Sequence, residues 1–284
     1  NILIRSEDSV SELKQEFLQR SITAICLSAA VIALVLFSPN LILNTFVFLL
    51  SLALFFEWMK VSESSFKKKI IFLLLFSFLI VCILGIGTLF EPIPFITMLG
   101  ITIWIVVAYQ IFFKEGRLSS NFTFANFWIG LILISTFCLT CFQFVNGSKL
   151  FLLIAIFNVA VFDSGAYIIG KNFGKNSFLP ELSPNKTVEG LIGGLTSSIV
   201  FVTFLCIFLE EVSLRASVAL MLSIPFALCG DYFFSFLKRK ANIKDTGSIL
   251  PGHGGLLDRV DSHLAAIPMT SFFLLLLYTI GSYF

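Results

Sequence analysis

Of the 284 residues 57% are hydrophobic and only 13% charged, and Phe alone occurs 35 times, whereas a soluble domain is about 45–50% apolar and about 25% charged. A net charge of +2, with basic residues confined to short segments between apolar runs, gives no signal for nucleic-acid binding. The six cysteines, Cys26, Cys82, Cys138, Cys141, Cys206 and Cys229, all fall inside apolar runs. They read as small buried hydrophobes, and the Cys138–Cys141 pair lies mid-helix, outside any thioredoxin-like context.

Residues 7–20 (EDSVSELKQEFLQR) carry Val10, Leu13, Phe17 and Leu18 at helical spacing. That pattern fits a short amphipathic helix on a membrane surface and equally a solvated tail. No small-residue cleavage site follows the first apolar run, so that run is expected to be kept as a membrane helix. A bilayer core about 30 Å thick needs about 20 apolar residues of helix. Nine runs meet that need, at 21–38, 40–59, 69–90, 92–113, 123–145, 149–170, 188–209, 214–237 and 261–283. The expectation is an all-α integral membrane protein of about nine transmembrane helices. Its segments are a cytoplasmic amphipathic stretch (1–20), N-terminal transmembrane helices (21–148) and a C-terminal transmembrane region (149–284).

Alternating connections divide the basic residues unevenly. Of the 19 Lys and Arg, only Lys149 and Arg215 fall on one side. The positive-inside rule then puts the N-terminus in the cytoplasm, the C-terminus outside, and the long polar connections 171–187 and 238–260 on the cytoplasmic face, where nucleotides are. Trp58, Trp104, Trp128 and most Phe residues are expected at the lipid or the interface. Gly190 and Gly194 form a GxxxG suited to close helix packing. His263 reads as a structural histidine, and the Asn146-Gly147-Ser148 triplet is given no role.

The most informative stretch is GDYFFSFLKRKANIKDTGSILPGHGGLLDRVDS, residues 230–262. Between Lys238 and Asp261 it holds five basic residues, three aspartates and a Pro-Gly-His-Gly-Gly run. Clustered glycines let backbone N–H groups face an anion, lysines and arginines neutralise phosphate, and aspartates suit Mg²⁺. No GxxxxGK[ST] loop is present to bind phosphate otherwise. A second cluster, FDSGAYIIGKNFGKNSFLPELSPNKTVEGLIGG, spans 162–194. In it Asp163 lies inside an apolar run, where a carboxylate is costly unless it faces a polar cavity or a partner.

The order Ser235, Lys238, Arg239, Lys244, Asp245, Pro251, Gly252, His253, Gly254, Gly255, Asp258, Arg259, Asp261 resembles the full signature of bacterial phosphatidate cytidylyltransferases. The DSGAY, GKxFGK and SPxKTxEG elements extend the likeness over residues 160–262. The resemblance implies that a phosphate oxygen of phosphatidic acid attacks the α-phosphorus of CTP, giving CDP-diacylglycerol and pyrophosphate at the cytoplasmic face of a bacterial inner membrane. On that basis Asp231, Asp258 and Asp261 are the expected Mg²⁺ ligands. Asp231, Asp258, Lys186, Lys238 and Arg239 are the expected catalytic set. Asp163, Lys171, Ser183, Lys244, Asp245, Gly252, His253, Gly254, Gly255 and Arg259 are the expected substrate contacts. His253 suits a hydrogen bond to phosphate better than proton transfer, because a phosphate monoester is already ionised at neutral pH. The family likeness also suggests a homodimer, and the sequence leaves open whether a second, monovalent cation accompanies Mg²⁺. A CTP-dependent lipid kinase would want similar groups but not this signature, and a transporter would show repeats or interrupted helices rather than polar residues gathered at one membrane face.

Overall fold

The computed structural model describes residues 28–61, 93–113, 125–180, 183–210, 212–243, 245–247 and 254–281. The chain divides into two compact units, Asn1–Leu43 and Asn44–Phe284. Its helices are α1 (Ser28–Phe37), α2 (Asn40–Val61), α3 (Ile93–Phe113), α4 (Ala125–Gly147), α5 (Lys149–Phe173), α6 (Val188–Phe208), α7 (Leu214–Lys240) and α8 (Leu257–Gly281). Between α5 and α6 lies an antiparallel hairpin of β1 (Ser177–Leu179) and β2 (Ser183–Thr187), with Ser177 opposite Thr187 and Leu179 opposite Ser183.

Among the described residues six helices are long and apolar enough to cross a membrane, namely α2, α4, α5, α6, α7 and α8. The apolar segments Ser28–Phe37 and Thr97–Phe112 are shorter. The expected span at 69–90 and the amphipathic stretch at 7–20 lie outside the described residues. Three of the helices begin at a hydroxyl that accepts a first-turn amide, which satisfies donors no intrahelical carbonyl can reach. Ser148 takes Phe151 N, Thr187 takes Gly190 N and Ser213 takes Ala216 N.

Two helix boundaries differ from expectation in ways that matter for the site. α8 begins at Leu257 rather than 261 and α7 runs to Lys240 rather than 237, so the charged residues flanking the apolar runs sit on rigid helical turns. The hairpin was not anticipated within the polar connection.

Within the larger unit the most extensive helix pairs are α5 with α6 and α7 with α8. Small residues permit the first approach, as a GxxxG predicts. A Cβ on Gly190 would lie 2.8 Å from Ala166 O, and one on Gly194 would lie 2.7 Å from Phe162 O. Asn158 joins three helices in the interior, donating to Leu220 O at 3.1 Å and accepting from Ser198 Oγ at 2.7 Å. Trp128 is half-exposed, as expected of an interfacial residue, but Trp58 and Trp104 are not lipid-facing. They are 2% and 0% exposed and pack against the Phe233 ring, Trp58 also meeting Phe234 edge-on at 5.6 Å between centroids. Gly130 leaves the notch that the Trp58 indole fills. Aromatic pairs of this kind contribute about 0.5–1.5 kcal/mol beyond the area they bury.

Candidate active site

Asp163, Ala166, Tyr167, Gly170 and Lys171 follow one another at helical i, i+3, i+4, i+7, i+8 spacing and share one face of α5. That face lines a cavity of about 800 Å³, within the range of small-molecule sites, about 300–1,000 Å³. α7 contributes Asp231, Tyr232 and Lys238 to the same cavity, and α8 contributes Asp258, Arg259, Asp261 and Ser262. Gly230 brings these two helices together, because a Cβ there would collide with Asp261 O and lie 3.2 Å from Ala265 Cβ. Among the described residues the cavity therefore gathers four carboxylates and four cations against apolar walls such as Phe162 and Leu228. A more open groove of about 850 Å³ runs along α5 and α6, where Ile192, Val200 and Phe204 line it and, among the described residues, Glu189 is its one charged group. Its apolar lining offers little for phosphate chemistry, so the chemistry points to the first cavity.

The hairpin brings Lys186 to the site. Glu189, in the first turn of α6, accepts hydrogen bonds from Lys175 N at 3.0 Å, Asn176 N at 3.2 Å and Asn176 Nδ2 at 2.9 Å. Val188 N donates to Asn176 O at 2.9 Å. With both ends of the hairpin fixed to the helix, Lys186 Nζ pairs with Asp231 Oδ2. It also lies 4.5 Å from the centre of the Tyr232 ring, whose own neighbour is Phe178 of β1 at 6.0 Å. Asp231 Oδ1 accepts from Ser235 Oγ, one helical turn on, at 3.4 Å.

The second ion pair joins Lys238 Nζ to Asp258 Oδ1 at 2.8 Å. The other oxygen of Asp258 accepts from Thr246 N at 2.8 Å, Thr246 Oγ1 at 3.1 Å and Gly255 N at 3.0 Å. Asp258 thus organises the loop before α8 as well as facing the cavity. Gly254 has φ +81°, a left-handed conformation that glycine adopts without steric penalty. Its absent Cβ would lie 3.3 Å from Asp258 Oδ2 and 3.4 Å from Asp245 Oδ1.

Of the residues singled out from sequence, Asp163, Lys171, Ser183, Lys186, Asp231, Lys238, Asp258, Arg259 and Asp261 line the one cavity. Gly254, Gly255 and Asp245 belong to the adjoining loop. Arg239 is exposed and is not among the cavity-lining residues; following Lys238 by one position on a helix, it is turned about 100° away from that face. Lys244, Gly252 and His253 lie outside the described residues. His263 Nε2 lies 3.3 Å from Ile156 O in the helix interior. Sequence reasoning missed Glu57 of α2, a fully buried carboxylate whose Oε2 accepts from Leu257 N at 2.7 Å and Thr246 Oγ1 at 3.1 Å.

Oxygen-only donors suit a hard divalent cation such as Mg²⁺, and Asp163, Asp231, Asp258 and Asp261 supply such donors around one cavity. Among the described residues no three acidic, His or Cys groups converge on a single metal position. Lys186 and Lys238 hold two of the four carboxylates, and Asp261 Oδ1 accepts from Ser262 N at 2.7 Å. The donor chemistry fits the ion, and at Asp231 and Asp258 an ion would compete with the lysines paired there.

Apolar helices carrying one charged cavity where several of them meet define an integral membrane protein with a polar site. The chain belongs to the cytidylyltransferase family, whose sequence model matches residues 18–277. It is 45% identical over 117 residues to the phosphatidate cytidylyltransferase of Bacillus subtilis, a match covering 40% of this chain and 43% of that protein. It is 41% identical over 128 residues to the phosphatidate cytidylyltransferases of Staphylococcus haemolyticus and Staphylococcus aureus, covering 44% of this chain and 49% of each relative. The matched stretches therefore span less than half the length of these curated relatives.

Proposed function

We propose that this protein transfers the cytidylyl group of CTP to phosphatidic acid, forming CDP-diacylglycerol and pyrophosphate. The observation that carries the reading is the cavity in which four carboxylates face four cations beside apolar helices. The relatives' names and the family match support the same reaction. A phosphate oxygen of the lipid attacks the α-phosphorus of CTP, and the bond to the pyrophosphate oxygen breaks. Such a transfer asks mainly for positioning and charge stabilisation. Lys171, Lys186, Lys238 and Arg259 neutralise the phosphates, Ser183 and the loop glycines contact substrate, and Asp231, Asp258 and Asp261 would hold a Mg²⁺ ion, which would supply further charge stabilisation. When substrate phosphates arrive, Lys186 and Lys238 exchange their aspartates for them. Residues 149–284 form the catalytic region of a nine-span protein with a cytoplasmic N-terminus and a cytoplasm-facing site in a bacterial inner membrane, and two copies form a homodimer.

The test is to incubate the purified protein in lipid micelles with CTP, Mg²⁺ and phosphatidic acid. A CDP-lipid with equimolar pyrophosphate is the expected result. Release of CDP with a newly phosphorylated lipid would make the protein a CTP-dependent lipid kinase, and no nucleotide turnover with any phospholipid would remove the enzymatic reading.

A further inference from the structure

We propose that Glu57 is a positioning residue, a buried clamp that fixes the loop before α8 and through it Asp258; this role in turnover rests on the activity proposed above. Glu57 is 0% exposed; burying a carboxylate is unfavourable unless it is hydrogen-bonded, and here Oε2 accepts from two donors while Oε1 has no partner among the described residues. Its partners lie far along the chain. Thr246 Oγ1 is 189 positions away and Leu257 N is 200, so α2 reaches across the sequence to one short segment.

Both contacts converge on Asp258. Leu257 is its neighbour and the first residue of α8, and a carboxylate on that amide acts as a cap supplied by another helix, favoured by the positive end of the helix dipole. Thr246 bonds Asp258 Oδ2 through both its backbone N and its Oγ1. Glu57 Oε2 and Asp258 Oδ2 each lie 3.1 Å from Thr246 Oγ1, so the two carboxylates share that hydroxyl's single proton.

The glycines of the loop record how closely it wraps this carboxylate. A Cβ on Gly255 would lie 2.7 Å from Glu57 Oε2 and 2.7 Å from Gly247 N, and one on Gly247 would lie 3.0 Å from Glu57 Cδ. Two glycines leave the backbone free to close around Glu57, and an incidental core residue would need neither. Among the described residues, Thr246, Gly247, Gly255 and Leu257 close around a group that is linked to Asp258 through Thr246 and Leu257. A shift on the scale of 1 Å at such a centre is enough to lower turnover about 10²-fold.

Glu57→Leu and Glu57→Gln, with Gly255→Ala approaching the contact from the loop side, are compared with wild type in three measurements: thermal stability, amide hydrogen exchange, and kcat and KM for CTP. The expected result is at least about tenfold faster exchange confined to Thr246, Gly255 and Leu257, with kcat down at least about tenfold and KM within about threefold. Glu57→Gln, which keeps one acceptor oxygen, should lie between wild type and Glu57→Leu. Unchanged exchange in this segment overturns the clamp, as does a uniform rise in exchange across the protein with kcat per folded molecule unchanged. If wild type makes no CDP-lipid while the local exchange effect is present, the clamp stands and the proposed activity falls.

Discussion

Lys186 and Asp231, separated by 45 positions, form an ion pair that ties the hairpin to α7. The two side chains are 30% and 29% exposed, so the pair adds no more than about 1 kcal/mol to stability. In the proposed reaction a substrate phosphate takes the place of Asp231 beside Lys186. Lys186→Met should fold and purify normally while turnover drops at least about 10²-fold, the scale of a lost charge-stabilising donor. Turnover near wild type, measured as CDP-lipid per minute, would reduce Lys186 to a partner for Asp231.

The close packing of α5 on α6 makes a stability prediction with its own control. A methyl on Gly194 would sit 2.7 Å from Phe162 O and 2.8 Å from Phe162 Cδ2, whereas one on Gly147 meets nothing within 4 Å. Gly194→Ala should therefore lose about 1–3 kcal/mol through overpacking, while Gly147→Ala should be neutral or slightly stabilising, by about 0.4–1 kcal/mol at most. Thermal denaturation in detergent reads both. Equal melting temperatures for the two variants would show that the helices are not in such close contact.

Much of the cavity lining was legible because it lies in two stretches, 162–194 and 230–262, whose motifs resemble a family signature. The signature stretch holds Lys238, Asp258 and Asp261, and the two apolar runs flanking it place them at adjoining helix ends. The hairpin was not legible, since SFL and SPNKT are short, polar and Pro-interrupted, without the alternation that marks a strand. Glu57 was missed for a different reason. A lone carboxylate in an apolar run is a signal, as Asp163 showed, but Glu57 lies three residues before Lys60 and could pass for the interfacial end of its run. Only the fold brings it to residues about 200 positions away. Trp58 and Trp104 failed in the same way, because burial in a helix bundle depends on partners such as Phe233 and Gly130 that no local pattern names.

The uneven distribution of basic residues predicts sidedness, and the structure chooses the probes. Asn176 and Asn242 are exposed beside the polar connections, and Gly147 and Glu210 are exposed at the opposite helix ends of the proposed topology. In a cysteine-free background, cysteines at positions 176 and 242 should react only with a reagent on the cytoplasmic side, and those at 147 and 210 only from outside. Labelling at 242 from the outside would reverse the topology and remove the cavity from cytosolic CTP.

The two ion-paired aspartates separate metal binding from loop structure. Asn preserves the shape of Asp and one acceptor oxygen but loses the charge, so a metal ligand so changed should lose Mg²⁺-dependent turnover by orders of magnitude. Asp231 has few structural duties, with Lys186 and Ser235 as its partners, and Asp231→Asn should be inactive with an unchanged melting temperature. Asp258 accepts from Lys238, Thr246 and Gly255. An amide there would turn its NH₂ toward Lys238 if its oxygen kept the loop amides, so Asp258→Asn should be inactive and measurably less stable. Chelating divalent cations should silence the wild type. The double variant should be scarcely slower than either single one, because groups that act as a unit are strongly non-additive. The assays are turnover at saturating Mg²⁺ and melting temperature for each variant. Retention of more than about a tenth of wild-type turnover by either, a loss under the roughly 1.4 kcal/mol of a tenfold change, would remove that residue from the metal set and shift its role to Asp163, the cavity carboxylate so far outside that set.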